Sequence, residues 1–142
     1  MDQVALENWE TLVRLERRNL RDMDAHLRRR TGFTLDQYDA LHQLVESGEP
    51  QRMSDLAERL VVANSSCHRI VSSLADAGLV ERTTGTTDRR EVLVDVTADG
   101  RRQHRRLAAI HTRDIQRLVA DRLSTADHEE LARLLGRLAE AD

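Results

Sequence analysis

The sequence predicts a mainly α-helical fold with a small β-hairpin, and three observations predict it. Apolar residues recur at three- and four-residue spacing along most of the 142 residues. Two β-branched runs flank one glycine-bearing, charged loop. Aromatic residues make up only 2% (Trp9, Phe33, Tyr38), so the core must be Leu, Val, Ile and Ala, which suits helix packing. The length is that of one domain, residues 1–142, with a modest core.

Taken in order, residues 4–30 read as a long amphipathic helix, with Leu6, Trp9, Val13, Leu20, Met23 and Leu27 near one stripe. Leu35–Val45 is a second helix, capped by Thr34 or Asp36 and stopped near Gly48 and Pro50. Pro50, the only proline, marks a turn. Met53–Leu60 is a short helix with Ser54 as candidate N-cap and Leu56, Ala57 and Leu60 as its apolar stripe. A link of Val61, Val62 and Ala63 leads into residues 64–78.

In that stretch Cys67, Ile70, Val71, Leu74 and Ala77 fall at helical spacing, while Ser65, Ser66, His68, Arg69, Ser72 and Ser73 lie outside the stripe. Short polar side chains let a backbone approach closely, and Ser, His and Arg supply donors for base edges and phosphates. The same pattern would serve an ordinary amphipathic helix with a serine face, and the neighbours decide between them. Two short helices across a tight link make a helix-turn-helix. Gly78 ends the second helix in a left-handed turn. Residues 79–83 and 91–97 then form a hairpin around the loop 84–90, which after a helix-turn-helix is a wing.

The remaining segments are helical: residues 97–121 with Leu107, Ile110, Ile115, Leu118 and Val119, and residues 125–141 with Leu131, Leu134, Leu135 and Leu138. Ser124 and Thr125 can cap the last, and Asp127, Glu129 and Glu130 favour its positive end. The apolar helices at the two ends, about 4–30 and 98–141, lie outside the winged core of about 34–97. They are expected to interleave with their copies from a second subunit, because exposed leucine stripes of this length are a liability in a monomer.

Several of these residues together resemble the winged-helix core of MarR-family transcriptional regulators. They are Leu56, Ala57, Ser65, Ser66, Arg69, Ile70, Val71 and Leu74, then Gly78-Leu79-Val80-Glu81-Arg82, Asp88-Arg89-Arg90, Val92, Val94, Thr97 and Gly100. The likeness runs over essentially the whole chain. It implies a homodimer on a pseudo-palindromic DNA operator, usually a repressor released by a small molecule, oxidant or metal. Two copies of the 64–78 helix would then enter successive major grooves roughly 34 Å apart. Ser65, Ser66, His68 and Arg69 are the base-edge and phosphate candidates, since the start of such a helix penetrates deepest. Arg89 and Arg90 sit at the wing tip, where a guanidinium can enter a narrow minor groove. In the family's Asp-x-Arg pattern the aspartate steadies the arginine, which maps onto Asp88 and Arg90; either arginine is a candidate for the groove.

The net charge of −3 is unusual for a DNA binder, so its distribution matters. Residues 52–106 carry ten Arg against eight acidic residues, and the remainder twelve against seventeen. The asymmetry is modest and does not by itself indicate DNA binding. All basic residues are Arg, a uniform replacement that fits codon bias in a GC-rich genome better than recognition. The single cysteine forbids an internal disulfide and fits a reducing cytosol, and no apolar run approaches membrane-spanning length, so a cytoplasmic bacterial protein is expected.

No nucleophile and base or metal and base stand together, so no enzyme and no cofactor are expected. Cys67 lies on the apolar side of its helix, a small core residue rather than a redox switch. Oxidant-sensing relatives carry their reactive cysteine in the first helix, where this chain has none. His26, His42, His104 and His111 fall on three helices that in this family enclose a cavity between the dimer arm and the winged domain. A zinc-sensing branch uses histidines and carboxylates near these positions. Here the i, i+4 pair that makes a helical metal site convincing is missing, and His104, among four arginines, looks exposed. No metal site is assigned. A small anionic or phenolic ligand is the favoured effector, with Trp9, Tyr38, Asp39 and His42 as candidate contacts; each could equally be a packing or surface residue. A zinc-responsive regulator and a winged-helix module for protein contacts, without its own operator, are the alternatives.

Overall fold

The computed structural model describes residues 1–140 apart from Thr86 and Arg89. Its elements run α1 (Gln3–Thr31), α2 (Leu35–Ser47), β1 (Gln51–Arg52), α3 (Met53–Leu60), α4 (Asn64–Asp76), β2 (Val80–Thr84), β3 (Val92–Val96), α5 (Ala98–Leu118), a 3-10 turn (Ala120–Arg122) and α6 (Thr125–Ala139). None of the described helices is long and apolar enough to cross a membrane.

Local chemistry sets most helix starts. The Asp2 carboxylate accepts from the Val4 N–H at the head of α1. Thr34, not Asp36, caps α2: its hydroxyl accepts from the Gln37 N–H and the Gln37 side chain accepts from the Thr34 N–H, a reciprocal box. Asp24 of α1 adds a third bond, accepting from the Leu35 N–H at 2.8 Å and so tying the two helices together. Ser124, rather than Thr125, makes the same kind of box with Asp127 at α6.

Ser54, the expected cap of α3, sits inside that helix instead. The boundary residue is Arg52, which makes no side-chain cap. The reason is a strand too short to read from the sequence. Gln51 and Arg52 pair with Val94 and Leu93, so sheet hydrogen bonds fix where the extended backbone ends. The sheet therefore has three antiparallel strands in the order β1-β3-β2, with Val80 opposite Val96 and Thr84 opposite Val92. At the other end of α3, Val61 adopts φ +56°, a left-handed turn that a β-branched residue enters only at a steric cost. Helix α4 stops two residues before Gly78, which turns at φ +75°.

The core gathers Leu41, Leu44, Leu56, Val71, Leu74, Val94 and Leu107, all essentially inaccessible, around α2. Cys67 belongs here too, buried against Met53 as expected of a small core residue. The first helix departs from its predicted stripe. Only Met23 and Leu27 are buried, while Trp9 is 65% exposed and Leu12, Leu15 and Leu20 face outward. A 29-residue helix is roughly 44 Å long and outruns a core this size. No described residue of helix α6 is fully buried, though His128 and Leu131 are half-buried. The long helix predicted to reach residue 121 gives way after Leu118 to the 3-10 turn.

The junction between wing and α5 is the tightest in the fold. The Thr97 hydroxyl accepts from the Gly100 N–H and donates to the Gly78 carbonyl, and the Thr97 N–H donates to the Leu79 carbonyl. A Cβ on Gly100 would lie 2.1 Å from the Leu79 carbonyl oxygen and 2.7 Å from Val96 Cγ2. That is why the Thr-x-x-Gly run is needed: the helix rests directly on the backbone leaving α4. Gly100→Ala should cost about 3 kcal/mol, the upper range for overpacking where backbone must yield, seen as a lowered denaturant midpoint.

Candidate nucleic-acid interface

Helix α4 hides Cys67, Val71 and Leu74 and turns Ser65, His68 and Arg69 outward. Ser66 is half-buried, its hydroxyl accepting from the Arg69 guanidinium at 3.2 Å, which braces that side chain along the helix. The serine face is not uniform. Ser73 points back into the domain, donating to the Ile70 carbonyl and accepting from Gln37 of α2, so it serves packing. Ser72 accepts from Arg82 of β2 at 3.1 Å.

The start of α4 and the base of the wing enclose a hollow of about 270 Å³ lined by Asn64, His68, Arg52, Arg90 and Glu91. Arg90 is exposed at the wing. The Asp88 carboxylate accepts from the Arg90 N–H at 2.9 Å, a contact with the wing backbone and not with the guanidinium. Arg89, the other wing candidate, lies outside the described residues. Arg52 and Arg82 extend the cationic rim and were not singled out as contacts in the sequence. Arg52 pairs with Glu91 across the root of the wing. Their signal was an arginine just before α3 and another on β2, in register with buried Val94 yet itself exposed and reaching Ser72, which becomes informative only once both strands are placed.

The effector candidates separate. Tyr38, Asp39 and His42 share α2, but Trp9 lies on α1 about 25 Å along the helix from His26, the nearest α1 residue that reaches α5 by a side-chain bond. Trp9 lines a different hollow with Val13, Arg14 and Arg18. Within the chain it cannot share a pocket with the other three.

In place of an open cavity stands a stack of rings. Tyr38, only 5% exposed, lies 5.6 Å from His42, 5.7 Å from His104 and 4.8 Å from His111, centroid to centroid. His42 Nδ1 and His104 Nε2 are 3.0 Å apart, one donating and one accepting. His104 is therefore half-buried against α2, not on the exposed arginine face its sequence neighbours suggested. Residues 101–106 alternate around a helix, and His104 falls on the inward side. Desolvation, reinforced by His42, holds His104 below the ordinary histidine value, and desolvation does the same for His111. Burial, then Asp36, pushes Asp39 up to about 6. His26 joins α1 to α5 through the Asp114 carboxylate at 2.8 Å. Among the described residues, no three His, Cys, Asp or Glu side chains converge to hold a metal.

Three helices braced against a hairpin, with a polar and cationic helix face beside a basic wing, define a winged helix-turn-helix protein. A family profile for the MarR family matches residues 31–91. Among solved structures the chain is similar to AbsC, a MarR-family transcriptional regulator from Streptomyces coelicolor (27% identity, 99% of this chain and 95% of that one, TM-score 0.86). It is also similar to Sco3205, a MarR-family transcriptional regulator of the same organism in complex with DNA (25%, 99% and 88%, 0.88). A third likeness is to the PcaV transcriptional regulator, again from Streptomyces coelicolor, in complex with its natural ligand (25%, 99% and 97%, 0.78). Curated protein sequences offer no significant match. Residues 31–91 thus match the MarR-family model, and over nearly its whole length the chain has the fold of MarR-family transcriptional regulators.

The raised Asp39 carboxyl has a measurable sign. Ionising it costs the folded chain more than the unfolded one, so the penalty is present above about pH 6 and disappears below the ordinary carboxylate range. Asp39→Asn should therefore raise stability by about 1 kcal/mol near neutrality, after allowing for solvent screening, and leave it unchanged in acid. Thermal melts of the two proteins across pH check this.

Proposed function

We propose that the chain acts as a homodimeric repressor on a pseudo-palindromic DNA operator, reading it with α4 and the wing and releasing it on binding a small effector. The observation that carries the reading is the outward face of α4, where Ser65, His68 and Arg69 are exposed and His68 shares a hollow with Arg90. The Sco3205 complex with DNA supports duplex DNA as the partner. Ser65, Ser66, His68 and Arg69 take base edges and phosphates in the major groove, and Arg90, with Arg89, reaches the minor groove. Asp88 supports the wing turn.

The second subunit is inferred from the ends of the chain. Leu12 of α1 and Leu131, Leu134, Leu135 and Leu138 of α6 line an apolar hollow of about 550 Å³ that this chain leaves open. Burying such a surface against a second copy removes apolar area from water at about 25 cal/mol per Å². The whole chain then works as one MarR-type unit: residues 34–97 read DNA, while about 4–30 and 98–141 hold the dimer. PcaV with its natural ligand supports a small-molecule effector. An anionic or phenolic compound is the proposed effector; beside Tyr38, Asp39 and His42 the packed rings leave it no open cavity in the single chain, and Trp9 could contribute only from elsewhere in the dimer. A buried free Cys67 fits a cytoplasmic setting.

Selection of bound duplexes from a random library, at stated salt, should recover a pseudo-palindrome with half-sites one helical turn apart. Arg69→Glu and Arg90→Glu should each weaken binding of that duplex by at least tenfold, since each reverses a charge at the phosphate surface. A folded dimer that recovers no motif, with both variants indistinguishable from the parent, would favour the protein-contact module instead. For the assembly, Leu135→Asp combined with Leu138→Asp should convert the dimer to a monomer in sedimentation, placing two carboxylates in an apolar seam.

A further inference from the structure

We propose that Tyr38, His42, His104 and His111 form a proton-operated latch between α2 and α5, closed while the imidazoles are neutral and opened by their protonation. Its consequence for DNA rests on the regulator reading above. The geometry carries it. A bond between His42 Nδ1 and His104 Nε2 at 3.0 Å needs a lone pair on one ring, and two protonated rings would oppose N–H to N–H at that distance. The rings lie 5.3 Å apart with planes 22° from parallel, and Tyr38 stacks on both. The Tyr38 face tolerates one cation by attraction to its ring. A second cation beside the first has no such partner.

The surrounding charges do not rescue it. From α2, Glu46 attracts a proton towards His104, but Asp39, held near 6, is itself losing its charge as the histidines gain theirs. From α5, Arg105 opposes a charge on His104, and Asp114, which favours one on His111, already holds His26 of α1 and lies 3.4 Å from Arg117. Asp24 of α1 is occupied by the Leu35 N–H and Arg28. A proton also needs no cavity, and the rings fill this junction themselves.

The place matters because α2 belongs to the reading unit and α5 runs from the wing into the dimer arm. Loosening their junction frees the wing and α4 to reorient relative to the arm, and so changes the spacing that two recognition helices present to DNA. The expected sign is opposite to plain electrostatics. Acid raises the positive charge of any DNA binder and should tighten binding; an opening latch weakens it.

Two measurements decide the matter. The first is a titration of the histidine ring signals by NMR, without DNA, on the full chain and on His42→Asn, whose amide replaces ring Nδ1. Because His42 helps hold His104 down, the His104 midpoint should rise in the variant; an unmoved midpoint overturns the latch. The second is binding of the selected duplex at about pH 7.5 and about pH 5.5, at one ionic strength, spanning the ordinary histidine range. Affinity should fall on the order of tenfold in acid for the parent and stay level or rise for His42→Asn with His104→Gln. Should that double variant fail to fold, His104→Gln alone carries the same expectation. Parent affinity that holds or tightens in acid, or an equal loss in the variant, overturns the proposal. If no duplex is bound at either pH, the regulator reading fails and the ring titration alone decides the latch.

Discussion

The burial of α2 is the constraint on which the rest depends. It packs against α1, α3, α4, α5 and β3, and Ala40, Leu41 and Leu44 are all but inaccessible. A helix enclosed on so many sides has little solvent face on which to put polar residues. Tyr38, Asp39 and His42 are consequently half or wholly buried, and their neighbours on α5 are drawn into the same low-dielectric junction. The packing that holds the reading unit together thus also makes its titratable groups responsive.

That enclosure also explains how a chain of net charge −3 can present a basic reading surface. Helix α4 spends its apolar stripe on the core, so its outward face is free to be polar, and the wing folds alongside it. Arg52 and Arg90 line the hollow beside the start of α4, Arg69 is exposed on α4 itself, and Arg82 reaches Ser72 of that helix from β2. Local field, not total charge, acts on a polyanion within about 10 Å at ordinary salt. Glu91 within this rim is held by Arg52, which limits its repulsion of phosphate.

The two ends of the chain follow a different rule. Helices α1 and α6 run beyond the core and carry leucines that nothing in the chain covers. The division is therefore physical: one region satisfies its apolar surface internally, the other leaves much of it exposed. Helix α5 belongs to both, starting against Leu79 and running on to pack along α1.

Local order along the chain determined much of this protein. Periodicity placed the long helices, the Thr34 and Ser124 caps were among the expected candidates, and Gly78 turned where a left-handed residue was called for, because each depends on residues within one or two turns. The outward polar face of α4 was legible for the same reason, whereas Asp88 meets the Arg90 backbone and not its guanidinium. Tertiary structure alone decided what depends on distant partners. A two-residue strand at Gln51 exists only because β3 lies beside it, and it moved the start of α3 away from Ser54. His104 turned inward because Tyr38 and His42 were waiting 62 and more residues away, whereas Trp9, on the predicted stripe, found no core to enter. Hydrophobic spacing tells which face of a helix seeks cover; only the fold supplies, or withholds, the surface that covers it.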